Sequence, residues 1–592
     1  MPRIRPLALL VAATLALSST AHAAAPEWVA RSDAYAQGVL KDTGKYSPEE
    51  STEVGDESFD TAVADFKPRD YERELADTEK RLAELRRQRT AERDPKVRQD
   101  LDILIESREK KVNTMKLERR YLLQYVNVGE LVYGGLKALL DPRNKPERQK
   151  LALVRLKRYA GRDNGFTPIA TLVRERTEER LADKNLTGPY VGEVEEALRN
   201  NATYMDGIAD MFKKAGITGW EDDFAILGGQ VRAYDDFVRA RILPRARKEV
   251  RLPEAVYANR LVNVGVDIPP EQLIERASFD FQELRDEMQL VAATVAARRK
   301  LPDADYRAVL RVLKQEAIPT DRLLPTYRER LKDVEAIIRA RNLVTLPTRE
   351  ASIRAATPAE AASLPAPFMS PPRLIGNTGE YGEFVIPLSN PNAKSTARMD
   401  DFDYAAATWP LVAHEARPGH ELQFASMVEQ GMSVARARFA FNSANVEGWG
   451  LYSEALVLPY MPPEGQLATL QLRLLRMARA LLDPQINLGR MTPAQAKDFL
   501  MHEVGLSEPF AQSEVDRYAY RLPGQATSYY YGYVKLRALR LLAETELGAR
   551  FNLKAFDDFV IAQGILPPQL MKQAVVQDFI PAQRGAELAP PN

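Results

Sequence analysis

The sequence predicts a mainly α-helical fold, a bilobed body with a groove or channel and only minor β structure, and three observations carry that prediction. Leucine and isoleucine recur at helical spacing through long stretches dense in charges of both signs. Prolines open several of these stretches, where a first helical turn tolerates them. At 592 residues with 45% hydrophobic and 28% charged side chains, the chain is long enough to bury a large core.

The elements follow in order. Residues 1 to 23 combine a basic start at Arg3 and Arg5, an apolar run from Leu7 to Leu17 and a small-x-small ending at Ala21-His22-Ala23, the pattern of a cleaved secretory signal. The run is too short to span a membrane, so no stable membrane insertion is expected after cleavage. Removing the two arginines leaves 80 basic against 82 acidic residues, a mature net charge of −2, and this near-neutral balance argues against nucleic acid as a partner. The sequence has no cysteine, so neither a cysteine-linked lipid nor a disulfide is expected, and the bacterial periplasm is the expected compartment.

Residues 24 to 345 read as an N-terminal helical part. Within it, 68 to 125 suggests a solvated helical hairpin broken near Asp94-Pro95, with too few apolar heptads for a dimerising coiled coil. Further helices are expected from 130 to 345, separated at Asp141-Pro142, Leu252-Pro253, Pro269-Pro270 and Leu324-Pro325. Residues 346 to 399 form a proline-rich connector, in which Gly379 to Leu388 suits a short strand or hairpin. Helices resume over 400 to 592, the part that bears the motifs, and the tail AELAPPN is expected to fray.

The chemistry concentrates in His414-Glu415-Ala416-Arg417-Pro418-Gly419-His420, which holds two of the chain's four histidines. Six residues of straight helix turn about 600°, leaving the two rings about 120° apart and unable to share a metal. Pro418-Gly419 lies between them, and proline and glycine together break or bend a helix. The motif therefore predicts a bend between His414 and His420. A catalytic zinc needs a third protein ligand and an open position for water. Glu447 and Glu454 are seven residues apart and fall on about the same face of a helix, one to bind the metal and the other to orient a ligand from behind. Glu415 then remains free as the general base.

His414-Glu415-x-x-Pro418-Gly419-His420 with Glu447-Gly448-Trp449 resembles the signature of the bacterial family known as domain of unknown function 885, widely treated as zinc-peptidase-like. Glu514-Val515-Asp516-Arg517-Tyr518 and Pro523-Gly524-Gln525-Ala526-Thr527-Ser528-Tyr529 resemble that family's next signature, and the likeness extends over most of the mature chain. At the level of fold it is similar to the helical gluzincin peptidases related to angiotensin-converting enzyme and neurolysin. The resemblance implies one zinc per chain held by His414, His420 and Glu447, with Glu415 as base. It also implies a phenol for the oxyanion from the tyrosine run, Tyr529 by position and Tyr533 second. Arg517 and Arg537 are candidates to hold a substrate carboxylate.

No G-x-S-x-G elbow, phosphate loop or dinucleotide glycine fingerprint occurs, and thiol catalysis is excluded. His502-Glu503 reads as structural, and Trp449 as a packing anchor. The expected function is an exported zinc peptidase acting on oligopeptides. The alternatives are a non-catalytic helical binding or scaffold protein, and a metal-dependent hydrolase of another amide or ester.

Overall fold

The computed structural model describes residues 27 to 585 except 365, 376, 378 and 389 to 397. The signal segment and the tail AELAPPN lie outside the described residues. What is described is mainly helical, with one small sheet.

The charged stretch forms two helices, Asp70–Ala91 and Pro95–Tyr121. Asp94 ends the break by accepting from the backbone N–H groups of Lys96 and Val97, with Pro95 in the first turn. Leu85 packs with Val97, Leu101 and Leu104 in one buried cluster. Charge pairs such as Arg89 with Asp102 and Lys116 with Glu79 bridge the solvated sides. Leu324-Pro325 does not divide helices as expected, because Pro325 lies inside Thr320–Arg341. Proline there forfeits one hydrogen bond near the start of the helix. Leu323, Tyr327, Leu331, Val334 and Ile338 hold the helix by burying one continuous face.

After Arg341 the chain forms strands β1 (Ser352–Ala355), β2 (Phe368–Ser370) and β3 (Glu383–Ile386), in the order β1-β3-β2. β1 runs parallel to β3 in the register Ile353 to Phe384, and β2 runs antiparallel to it. The strand expected within Gly379 to Leu388 is thus β3, paired by chain on both sides.

Two large apolar clusters organise the helices. One gathers residues between Val128 and Ile242, including Leu136, Phe212 and Trp220. The other runs from Ile103 and Val250 through the helices after 400 to Ile580. Within the second, the helices Ser443–Val457 and Thr527–Leu547 approach closely at Gly448 and Gly532. A Cβ on Gly532 would lie 1.7 Å from the carbonyl oxygen of Ala444, so side-chain atoms have no room there. Gly532→Ala is expected to cost about 1 to 3 kcal/mol of stability through overpacking. Urea denaturation measures it, and a midpoint equal to that of the parent chain would show that the crossing relaxes freely.

Candidate metal centre

The site is built where one helix ends and another begins. Thr408–Leu411 continues as a single wide π turn over Val412–Ala416, and Arg417 then leaves the helix with φ −127° and ψ 135°. A new helix, His420–Gln430, starts after Gly419. The chain doubles back so tightly that a Cβ on Gly419 would sit 1.8 Å from the carbonyl oxygen of His414. Arg417 fixes the bend from a fully buried position, with Nε 2.8 Å from Glu421, Nη1 2.5 Å from Glu335 and Nη2 donating to the Arg349 carbonyl. Trp449 Nε1 donates to the Pro418 carbonyl at 2.9 Å, which ties the bend to the next helix.

The bend does what the six-residue spacing requires. The rings of His414 and His420 lie 4.6 Å apart between centroids, at 84° to each other. Glu447, on Ser443–Val457, brings Oε2 to 3.4 Å from Nε2 of both histidines. That buried oxygen accepts no hydrogen bond from any described residue. Two imidazole nitrogens and one carboxylate oxygen, all within 4.8 Å of one another, are a donor set that could hold a metal ion, and of the kind zinc takes. The spacing suits the ion as well, since bonds of about 2.1 Å directed tetrahedrally separate ligand atoms by about 3.4 Å. Glu454, two turns beyond Glu447, accepts from His414 Nδ1 at 2.7 Å and thereby leaves Nε2 with its lone pair toward Glu447 and open to a cation. Arg476 Nη2 lies 3.3 Å from the same Glu454 oxygen. His420 has no such support, because its Nδ1 is buried without a partner among the described residues. Between the two glutamates, Gly450 gives the His414 ring its space: a Cβ there would lie 2.5 Å from Cε1.

The charges follow from this crowding. Burial disfavours the imidazolium of His414, but the carboxylates of Glu447, Glu454 and Glu415 outweigh it and lift its pKa to about 9. Burial also opposes ionisation of Glu447, yet the two imidazoles hold its pKa well below the usual range. Glu454 is lowered despite burial, chiefly by Arg476 and His414. Of these three carboxylates Glu415 is the one that moves upward, because burial dominates the nearby histidines.

The centre opens into a cavity of about 770 Å³. Glu415 lines it beside His414 and His420, and so does Tyr529, whose ring stacks on His414 at 6.2 Å between centroids. The Tyr529 oxygen accepts from Arg517 Nη2 at 2.9 Å, which leaves the phenolic O–H free to donate. Of the other sequence candidates, Arg517 lines the cavity, whereas Tyr533 and Arg537 do not. They meet each other instead, with Arg537 Nη1 3.3 Å from the Tyr533 oxygen. Tyr533 is one turn further along the same helix, about 6 Å along the axis, and that step carries it past the cavity. His502 sits on the surface beside Asp498.

Sequence reasoning missed Arg476 and Arg479 on the helix Pro463–Asn487, both in the cavity wall. Their three-residue spacing was a usable signal, hidden by the abundance of arginine. It missed a further part of the lining too, where Glu130, Glu193 and Glu196 come from the helices Val128–Leu140 and Val191–Lys214, more than two hundred residues away in sequence.

A family model described as "Bacterial protein of unknown function (DUF885)" matches residues 48 to 575. The chain is similar in fold to the solved structure of a "putative lipoprotein" from Colwellia psychrerythraea, with TM-score 0.75 and 17% identity, covering 94% of this chain and 100% of the other. It is likewise similar to a "putative lipoprotein of unknown function" from Shewanella oneidensis, with TM-score 0.70 and 18% identity over 93% and 100% of the two chains. No curated protein matches the chain.

Proposed function

We propose that this chain, which belongs to the DUF885 family of bacterial proteins, is an exported zinc-dependent hydrolase, and most specifically a peptidase acting on oligopeptides. One observation carries the proposal: Nε2 of His414 and Nε2 of His420 meet the same uncommitted Glu447 oxygen at 3.4 Å. An unpaired buried oxygen facing two imidazoles is costly unless a cation joins them. The cavity between two apolar clusters gives an extended substrate access to that point, consistent with a bilobed, gluzincin-like body. The naming of both solved neighbours as lipoproteins supports export, and the periplasm is the proposed compartment.

Zinc bound by His414, His420 and Glu447 would supply Lewis acidity toward a scissile carbonyl and toward water. Glu415, at the cavity surface, takes the proton of the attacking water and returns it to the leaving nitrogen. Its raised pKa suits both halves of that transfer. Tyr529 directs its O–H toward the developing oxyanion while Arg517 holds the phenol from behind. Glu454 keeps His414 in the tautomer that presents Nε2.

Metal analysis of the full chain purified without chelator is the direct test. About one zinc per chain, absent in His414→Ala, is the expected result, together with hydrolysis of a peptide mixture. A chain that takes up no metal under any condition is a binding or scaffold protein instead. Glu454→Gln is expected to weaken zinc binding about 10- to 100-fold, because the amide can orient His414 wrongly and lacks the charge. Competition with a chromogenic chelator reads that shift, and equal affinity would remove Glu454 from the centre.

A further inference from the structure

The cavity wall beside Tyr529 carries a cationic subsite with donors to spare beyond those that support the metal chemistry. Arg476, Arg479 and Arg517 line it, Arg476 paired with Glu454 and the other two with Glu514. Each guanidinium is held in place. Arg479 gives Nε and Nη2 to Glu514 at 2.7 Å each. Arg517 gives Nη2 to Gln525 at 2.5 Å and to the Tyr529 oxygen, while Gln525 is anchored on Ser443 at 2.8 Å. These bonds leave the Nη1 group of Arg479 and of Arg517, the latter 3.6 Å from Glu514 and beyond hydrogen-bond reach. Both guanidinium carbons lie against the Tyr529 ring, at 4.4 and 5.2 Å from its centroid.

We propose that Arg479 and Arg517 receive the free C-terminal carboxylate of a peptide substrate, which makes the chain a carboxypeptidase of short peptides. The chemistry rests on the hydrolase reading above; the carboxylate binding does not. Two rigid, preorganised guanidinium groups match the planar geometry of a carboxylate. The distance sets where cleavage falls. The Tyr529 ring centroid lies 6.2 Å from that of His414 and 5.2 Å from the Arg517 guanidinium carbon, so a span of no more than about three residues, at about 3.5 Å each, joins the centre to the subsite. The bond broken then lies within about three residues of the C-terminus.

The test separates binding from catalysis. An N-acetyl dipeptide with a free carboxylate and its C-terminal amide are each titrated calorimetrically into the metal-free full chain. The acid is expected to bind at least tenfold more tightly. Arg517→Gln should erase that difference, whereas Arg521→Gln, which removes a cavity cation paired to Glu196, should keep it. Equal binding of acid and amide by the parent chain overturns the proposal, and so does a preference that survives Arg517→Gln. The zinc-loaded chain is then given a tetrapeptide acid and its amide. Cleavage of the acid with a KM at least tenfold below that of the amide supports the subsite as part of an enzyme. Preferential binding of the acid without cleavage of either peptide leaves the carboxylate subsite standing and removes the hydrolase reading.

Discussion

Glu415→Gln is expected to leave about one zinc bound per chain while lowering peptide hydrolysis by roughly three orders of magnitude, the scale of a lost general base. The substitution keeps the size and polarity of the side chain but cannot accept a proton. The structure gives a reason to expect this separation of effects. Glu415 is the residue next to a ligand, yet the π turn over Val412–Ala416 sends its side chain to the cavity, while the three ligand atoms converge without it. Steady-state hydrolysis of one peptide, alongside metal content, measures both quantities. Full activity in the variant would refute Glu415 as the base; loss of metal together with activity would reassign it to the ligand set.

Gly450→Ala is expected to weaken zinc binding at least about a hundredfold and to remove hydrolysis with it, in a chain that remains folded. The His414 ring is held between two neighbours: Glu454 grips Nδ1 at 2.7 Å, and the missing side chain of Gly450 leaves the ring its place against the helix. A methyl group 2.5 Å from Cε1 forces the imidazole away, so the bond to Glu454 and the approach to Glu447 fail together. Displacements of an ångström suffice to disable a site of this kind. Gly134→Ala is the matched control, a helical glycine with nothing within 4 Å of the added methyl. Chelator competition and thermal denaturation of both variants decide the matter, and unchanged zinc affinity in Gly450→Ala would show that the ring has another resting place.

The helical class was legible because the charged hairpin announces itself twice, by apolar spacing and by the Asp94-Pro95 break that caps its second helix. The bend at Pro418-Gly419 was equally legible, since the six-residue spacing leaves a straight helix no way to bring two histidines together. Glu447 and Glu454 followed from a spacing of two helical turns. Other parts of the site resist that kind of reasoning. Tyr529 and Tyr533 differ by about 40° around one helix, so periodicity cannot say which of them meets a cavity formed by other segments. The roles of Gly450 and Gly532 are set by what touches them across the fold, and a glycine in a helix looks the same in sequence whether it yields to a ring or to a backbone. The arginine wall lay hidden among 82 basic residues. The acidic part of the lining belongs to distant helices that only the tertiary fold brings to the cavity. Leu324-Pro325 shows the converse, a local break signal overruled by a long buried face.

The indole of Trp449 has one further consequence. It is one of four tryptophans, it is fully buried, and its N–H is bonded to the carbonyl that lies between the two histidine ligands. Any settling of that loop as the imidazoles close on an ion alters the hydrogen bond to an excited chromophore. If the proposed zinc binds, the emission of Trp449 is expected to shift on loading, a gauge of occupancy placed by the fold at the joint the ion would tighten.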